Sequence, residues 1–178
     1  MNQKVSMSGG RVLLILGRLV LAGVFLFAAY AKLKPQGPMP WSPASVRTSL
    51  AMFAMQVDSY QLLPESAVNL VAHLLPPFEL FLGLWLLTGI ALRFSSLITV
   101  LLLGGFFTVM VHSYMAGLEI NCGCFGPGEK LGPWTLLRDG SLLAVAIAVT
   151  IGSFLIRRNQ VPQQIAASPA APIPEGTR

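Results

Sequence analysis

The stretch AVNLVAHLLPPFELFLGLWLLTGIALRFSSLITVLLLGGFFTVMVHSYM, residues 67–115, decides the fold of this chain. Its only acidic or basic side chains, histidine apart, are Glu79 and Arg93. A helix needs about 20 mostly apolar residues to cross the roughly 30 Å hydrocarbon core of a bilayer. The stretch is long enough for two crossings that turn back at Arg93. Its apolar runs do not alternate with polar residues, which excludes a β-barrel and leaves helices as the spanning structure.

The rest of the chain adds two similar segments. Helices that cross the bilayer are predicted at residues 12–33, 67–92, 94–115 and 134–156. The composition agrees, because 54% of the 178 residues are hydrophobic and only 11% are charged, and the mean hydropathy is +0.68. We therefore predict an all-α membrane protein with a four-transmembrane-helix bundle. The net charge of +5 comes from scattered basic residues, so no nucleic-acid partner is expected.

The predicted organisation has a short cytoplasmic N-terminus (1–10), a membrane domain (11–158) and a disordered cytoplasmic tail (159–178), which is rich in Pro, Ala and Gln. The first outer loop, 34–66, begins with four prolines. Apolar residues then recur at helical spacing, which predicts an amphipathic helix over Ser45–Gln61 on the membrane surface. A solvated linker with chance periodicity is the alternative.

Charge counting gives the expected orientation. With a cytoplasmic N-terminus, six basic residues flank the helices on that side against five on the other, which favours both termini in the cytoplasm. The protein is then expected in the inner membrane, with its cysteines on the periplasmic side. The sequence Ala29-Tyr30-Ala31 also resembles a signal-peptide cleavage site, but the apolar segment before it is too long and contains Arg18.

Arg18 and Glu79 lie well inside predicted spans, where charged side chains are costly. We expect Arg18 and Glu79 to form an ion pair that fixes the register of the first two spanning helices. The functional alternative is that Glu79 accepts protons or contacts a polar cofactor head. His73 and His112 are expected near the same end of the bundle as the cysteines, where a packing role is commoner than ligation.

The sequence Asn121-Cys122-Gly123-Cys124-Phe125-Gly126 follows the third span and holds the only cysteines of the chain. Two thiols one residue apart can close a small, strained ring that is easily reduced, which suits thiol exchange at Cys122 and Cys124. An inert bridge that shapes the turn and a metal site with His73 and His112 are alternatives, although the spacing matches no zinc-finger pattern and no metal is predicted.

Several sequence features together resemble the MauE family, the methylamine-utilisation membrane proteins within the DoxX-like group. They are Arg18, Ala31-Lys32-Leu33, Tyr60-Gln61-Leu62-Leu63-Pro64, Pro77-x-Glu79 with Gly83 and Gly89, Cys122-Gly123-Cys124-Phe125-Gly126, and Trp134 with Arg138-Asp139. The resemblance implies a four-helix inner-membrane protein that works with a thioredoxin-like periplasmic partner during maturation of a secreted enzyme.

Two functional hypotheses follow. The first is a thiol-disulfide oxidoreductase component, in which Arg138 stabilises a nearby thiolate by its positive charge and Asp139 orients Arg138. By analogy with four-helix disulfide-generating enzymes, a quinone is a possible electron acceptor, but this chain lacks their second cysteine pair. The second hypothesis is a non-catalytic membrane scaffold or accessory subunit whose Cys-Gly-Cys loop is a structural turn or a metal site.

Overall fold

The computed structural model describes residues 3–35, 37–118, 120–122 and 129–167, with side chains described between residues 9 and 155 of these ranges. The described residues form the helices α1 (Gln3–Leu33), α2 (Pro43–Asp58), α3 (Glu65–Thr88), α4 (Leu92–Met115) and α5 (Pro133–Ala167). Within them, four segments are long and apolar enough to cross a membrane: Gly9–Leu33, Glu65–Thr88, Leu92–Met115 and Pro133–Leu155. The predicted all-α, four-helix membrane fold is confirmed.

The distribution of polar residues on α4 is that of a helix surrounded by lipid. Its buried side chains include Ser95, Ser96 and Thr99, all fully enclosed, whereas Phe94 and Leu101 are each 67% exposed. A water-soluble bundle would show the opposite arrangement, with its large apolar side chains inside. Small polar residues instead face the neighbouring helices, where they allow close packing and hydrogen-bond to backbone carbonyls.

Close packing at Gly83 sets the register between α1 and α3. A Cβ atom at this position would lie 2.9 Å from Cγ of Leu26 and 3.2 Å from the carbonyl oxygen of Ala22. Glycine therefore lets the two backbones approach more closely than any side chain would. Beside this contact, α1, α3 and α5 enclose an apolar core. Its buried members are Leu21, Ala22, Phe25, Leu82, Leu86, Ala146 and Val149.

The spanning helices run antiparallel to their neighbours, which gives the bundle two distinct ends. The turn between α3 and α4, residues 89–91, lies at one end, close to Arg18; we call this the Arg18 end. Segments 34–64 and 116–132 lie at the opposite end, which we call the Cys122 end. Helix α2 therefore shares an end with Cys122.

Helix α2 begins two residues before its predicted start and ends before Gln61, which has a positive φ of 51°. Pro43 occupies the first helical turn, where a missing N–H costs little. Ser42 precedes it as the N-cap and accepts a hydrogen bond from the backbone N–H of Ser45 at 3.1 Å. The inner face of α2 carries Phe53, which packs against α3. The helix itself was predicted correctly; its position on the membrane surface stays a prediction.

The first and last helices extend beyond the membrane-spanning segments. Helix α1 begins at Gln3 and α5 continues to Ala167; the predicted domain boundaries stay a prediction. Residues 168–178 lie outside the described part of the chain. Helix α3 continues through Pro76 and Pro77 without interruption. Pro76 and Ala72 are fully buried, so the hydrogen bond missing between them lies on the inner face of α3, whereas Pro77 and His73 are exposed.

Candidate functional site

Cys122 lies in a short antiparallel turn after α4. Asn121 pairs with Lys130 in a β-bridge, the backbone N–H of Cys122 donates to the carbonyl of Glu129 at 2.7 Å, and that of Leu131 donates to Ile120 at 2.9 Å. These hydrogen bonds join the backbone of residues 120–122 to that of residues 129–131 and so fix the position of Cys122 in the turn. Residues 123–128, which include Gly123 and Cys124, are outside the described part of the chain.

The side chain of Cys122 points into the protein and is only 4% exposed. Its Sγ lies 3.9 Å from Sδ of Met110 on α4. The hydroxyl of Tyr60, just after α2, donates to the carbonyl oxygen of Cys122 at 2.9 Å. The cysteine is therefore fixed to α4 and to the α2 segment, so that this sulfur does not lie on the solvent-facing surface of the loop.

A cavity of about 480 Å³ lies beneath Cys122, inside the bundle. Its walls are mostly aliphatic and aromatic side chains from α1, α2, α3 and α4, with a contribution from α5. A few polar groups converge on it: those of Lys32, Gln56, Tyr60, Glu79, Cys122 and Asp139. Small-molecule sites typically have volumes of about 300–1,000 Å³ and combine apolar walls with a few placed polar groups. This cavity has both properties.

Glu79 pairs with Lys32, which corrects the predicted pairing with Arg18. Nζ of Lys32 donates to both carboxylate oxygens of Glu79, at 3.0 and 2.9 Å. The two residues are 5% and 4% exposed, respectively. Nζ also lies 5.3 Å from the centroid of the Phe53 ring, within the range of a cation–π contact. The prediction that an ion pair joins the first two spanning helices was correct. The prediction of Arg18 as its basic residue was wrong.

Arg18 lies at the C-terminal end of α3, whereas Glu79 lies near the middle of that helix. Its guanidinium packs over Gly89, the residue that ends α3 in a left-handed conformation with φ of 69°. A positive group is favourable there, because the last carbonyls of a helix carry partial negative charge. Within the described residues, Nε of Arg18 is buried without a hydrogen-bond partner. Arg18 therefore belongs to the packing of the Arg18 end and does not reach the cavity.

Arg138 and Asp139 lie next to the Cys122 turn. Nε of Arg138 donates to Oδ1 of Asp139 at 2.9 Å, and Nη1 forms an ion pair with the carboxylate of Glu129. The backbone of Glu129 accepts the hydrogen bond from Cys122 described above. Glu129 thus connects Arg138 to the cysteine turn, while Asp139 contributes to the wall of the cavity. The predicted chemical role of Arg138 and Asp139 stays a proposal.

The two histidines are exposed and do not line the cavity. Nδ1 of His73 hydrogen-bonds with the carbonyl of Asn69, 2.8 Å away and one turn earlier in α3. Among the described residues, no three His, Cys, Asp or Glu side chains form a group that would hold a metal ion. The exposed histidines give no support to the alternative of a Cys2His2 site.

Sequence reasoning missed four contributors to this site: Lys32, Tyr60, Met110 and Glu129. Lys32 lies at the end of an apolar segment, where lysines usually extend to the membrane surface. The signal for Tyr60 was its place at the end of the periodic pattern in α2. Pro127-Gly128 is a turn signal, and its position between Cys122 and Glu129 was the available sign of the antiparallel turn.

Comparison with family models identifies the chain. The model described as "Methylamine utilisation protein MauE" matches residues 10–152, most of the chain and all of the cavity-lining helices. The chain belongs to the MauE family. It is therefore a multi-pass membrane protein of a family named for methylamine utilisation. Searches of curated proteins and of solved structures gave no match.

Proposed function

We propose that this MauE-family protein is a membrane component of thiol-disulfide exchange, with Cys122 and Cys124 as its reactive pair. The observation that carries the proposal is the position of Cys122 Sγ, which is buried in the wall of a cavity that also contains the Lys32–Glu79 pair. A cysteine needed only to shape a turn has no need of a cavity beneath it. The sulfur here faces space that a second reactant can occupy.

The burial of Cys122 gives the two cysteines different roles. A buried sulfur is hard for a partner protein to reach, so we assign the contact with the partner to Cys124 and the role of leaving group to Cys122. A thiolate of the partner attacks Sγ of Cys124 in the Cys122–Cys124 disulfide, and Cys122 leaves as a thiolate. The second partner thiolate then attacks the mixed disulfide and releases Cys124. Two electrons have moved from the partner's dithiol, which becomes a disulfide, to this chain.

The partner we propose is a thioredoxin-like periplasmic protein, which passes its disulfide to a secreted client. Membership of a family described as methylamine utilisation proteins supports a client in methylamine utilisation. The positive charge of Arg138 stabilises the thiolates formed during exchange, since Arg138 is linked to the Cys122 turn through Glu129. Asp139 holds the guanidinium in that position through its hydrogen bond.

The exchange requires the Cys122 end to face the periplasm and both termini to lie in the cytoplasm. Charge counting supports this orientation. Two single-cysteine variants without the native cysteines test it: Leu62→Cys at the Cys122 end and Ile90→Cys at the Arg18 end, whose native side chains are 46% and 68% exposed. In intact spheroplasts, a membrane-impermeant maleimide should label the first and not the second. The reverse labelling pattern would exclude a periplasmic redox site.

Trapping of mixed disulfides tests the exchange itself. Cys122→Ser should accumulate a covalent complex between the Cys124 thiol and an oxidised partner, because Cys122 is no longer present to attack that mixed disulfide and release the partner. Cys124→Ser should accumulate much less, since Cys122 is buried. A protein with both cysteines replaced and Leu62→Cys added is the matched control for nonspecific trapping by a thiol at this end. Equal trapping by all three variants would contradict the proposal.

The hydrogen bonds on both sides of Cys122 favour one other function, a non-catalytic scaffold whose Cys-Gly-Cys turn is structural. A scaffold needs the shape of the turn and not its thiol chemistry. Replacement of both cysteines by serine should then preserve the growth phenotype and the association with other membrane proteins. If the protein carries out thiol exchange, the double serine variant should instead lose both the growth phenotype and the association that depend on disulfide transfer. The variant protein itself should remain in the membrane.

A further inference from the structure

The cavity lies between two pairs of helices that separate toward the Cys122 end. Helix α1 packs along α3, and α4 packs along α5, whereas α3 and α4 make few contacts although a short turn joins them. Leu101 on α4 lines the cavity and is also 67% exposed. Because Leu101 lies near the middle of a membrane span, this side of the cavity faces the bilayer. A ligand in the lipid phase reaches the cavity sideways, between α3 and α4.

The cavity combines apolar walls with polar groups at two depths. Leu102, Phe106 and Phe107 provide an apolar and aromatic wall on α4, and Val71 and Leu75 face it from α3. The polar groups of Tyr60 and Cys122 lie at the Cys122 end of the cavity, and the Lys32–Glu79 pair lies deeper, near the middle of α3. A suitable ligand has a flat apolar ring, hydrogen-bond acceptors at its edge and an apolar tail that remains between the helices or in lipid.

We propose that this cavity binds the ring of an isoprenoid quinone, which reoxidises the cysteine pair. The inference rests on the proposed thiol exchange and adds its electron acceptor. Cys122 and Cys124 lose two electrons and two protons as their S–S bond forms, and the two carbonyl oxygens of the quinone take up both to become hydroxyls. Cys122 is placed for this step because its sulfur lines the cavity, and no second cysteine pair is then needed.

Other occupants fit the cavity less well. A phospholipid would have to bring an anionic, strongly hydrated head into a mostly apolar space, at a large desolvation cost. A soluble peptide cannot enter from the lipid side without exposing its backbone to hydrocarbon. The quinone ring carries acceptors without a charge, and its tail is already dissolved in the bilayer.

Gly105 offers a selective way to fill the cavity. It lines the cavity on α4, and a Cβ atom added there would meet no heavy atom within 4 Å. A series of Gly105→Ala, Gly105→Leu and Gly105→Phe therefore adds volume progressively where there is space for it. Gly23 on α1 is the matched control, since its Cβ would also meet nothing within 4 Å and it does not line the cavity.

The experiment uses the full chain in quinone-free nanodiscs and a short-chain ubiquinone that carries a photoreactive azido group. Crosslinks should map to 101–110 of α4, and unlabelled ubiquinone should compete for them. Affinity should fall in the order of side-chain size, by at least tenfold for Gly105→Phe, and change less than twofold for Gly23→Phe. Equal effects of the two phenylalanines, crosslinks elsewhere, or competition by phospholipid and not by ubiquinone would overturn the proposal.

Cys122→Ser separates this inference from the proposed function. At a quinone concentration that saturates the variant, Cys122→Ser should no longer reduce the quinone with electrons from a dithiol, because the sulfur that lines the cavity is absent. If wild-type protein traps its partner but binds no quinone, the quinone site is refuted and thiol exchange stands. If quinone binds but is reduced equally well by Cys122→Ser, electron transfer from the cysteine pair is refuted.

Discussion

Breaking the Lys32–Glu79 pair from one side should destabilise the protein strongly, whereas replacing both residues should restore most of the loss. Both side chains are almost fully buried, and two hydrogen bonds join them. Removal of one partner from a buried pair leaves an uncompensated charge, which costs about 3–5 kcal/mol. Glu79→Leu and Lys32→Met should each show a loss of that order. In the double variant no charge remains, and the net change should fall below about 2 kcal/mol because apolar replacements of similar volume are often neutral.

The assay is a double-mutant cycle of unfolding by sodium dodecyl sulfate in mixed micelles, followed by far-ultraviolet circular dichroism. From these losses the coupling free energy between the two positions should be at least about 4 kcal/mol, above the range of about 0.5–3 kcal/mol usual for contacting residues. Lys130→Met is the control, since Lys130 is exposed and loses little. A coupling below about 0.5 kcal/mol, the limit for independent sites, would refute the reasoning.

The double variant also separates structure from chemistry. If the pair serves only to join α1 and α3, the folded double variant should exchange disulfides at the wild-type rate. If the pair handles protons released in the cavity, the rate should fall although the free energy of unfolding is largely restored. A stable double variant with unchanged rate would limit Lys32 and Glu79 to a structural role.

Three further predictions follow from single contacts. Gly89→Ala should lower the free energy of unfolding by at least about 1 kcal/mol, since φ is 69° and the Arg18 guanidinium occupies the space; Gly23→Ala, measured in the same micelles, should cause no loss. Tyr60→Phe should raise the rate of Cys122 alkylation by a small lipid-soluble maleimide several-fold in a Cys124→Ser background, because the lost hydrogen bond to the Cys122 carbonyl is worth about 0.5–1.5 kcal/mol; an unchanged rate would contradict the anchoring role of Tyr60. Glu129→Gln should change the free energy of unfolding by less than about 1 kcal/mol, because its ion pair with Arg138 has side chains 29% and 37% exposed; a loss near that of Glu79→Leu would contradict this.

The fold was predictable because the membrane constrains it strongly. Length and apolarity were enough to identify all four spanning helices, and periodicity identified α2. The partner of Glu79 was not predictable in the same way, because it depends on the register between α1 and α3. That register is set where Gly83 meets Ala22 and Leu26. With this contact known, antiparallel pairing places the α1 terminus near Glu79 and Arg18 near Gly89.

The cavity was equally hidden from sequence reasoning. Its polar groups come from parts of the chain that are far apart, as in the contact between Tyr60 and Cys122, which are 62 residues apart. No periodic pattern marks such a meeting. The motif around Cys122 showed where chemistry was to be sought, but it did not show that the sulfur faces inward.

The inward orientation of Cys122 changes the meaning of the missing second cysteine pair. If both sulfurs faced solvent, this chain could exchange electrons only with soluble proteins, and a membrane-embedded bundle would offer no advantage. A buried Cys122 sulfur in the wall of a cavity that is exposed at Leu101 is placed for a small lipid-soluble oxidant under the proposed quinone reaction. A single pair would then suffice, because the oxidant reaches Cys122 directly. The Lys32–Glu79 pair lies in the same cavity, where two protons must leave the thiols for every two electrons transferred.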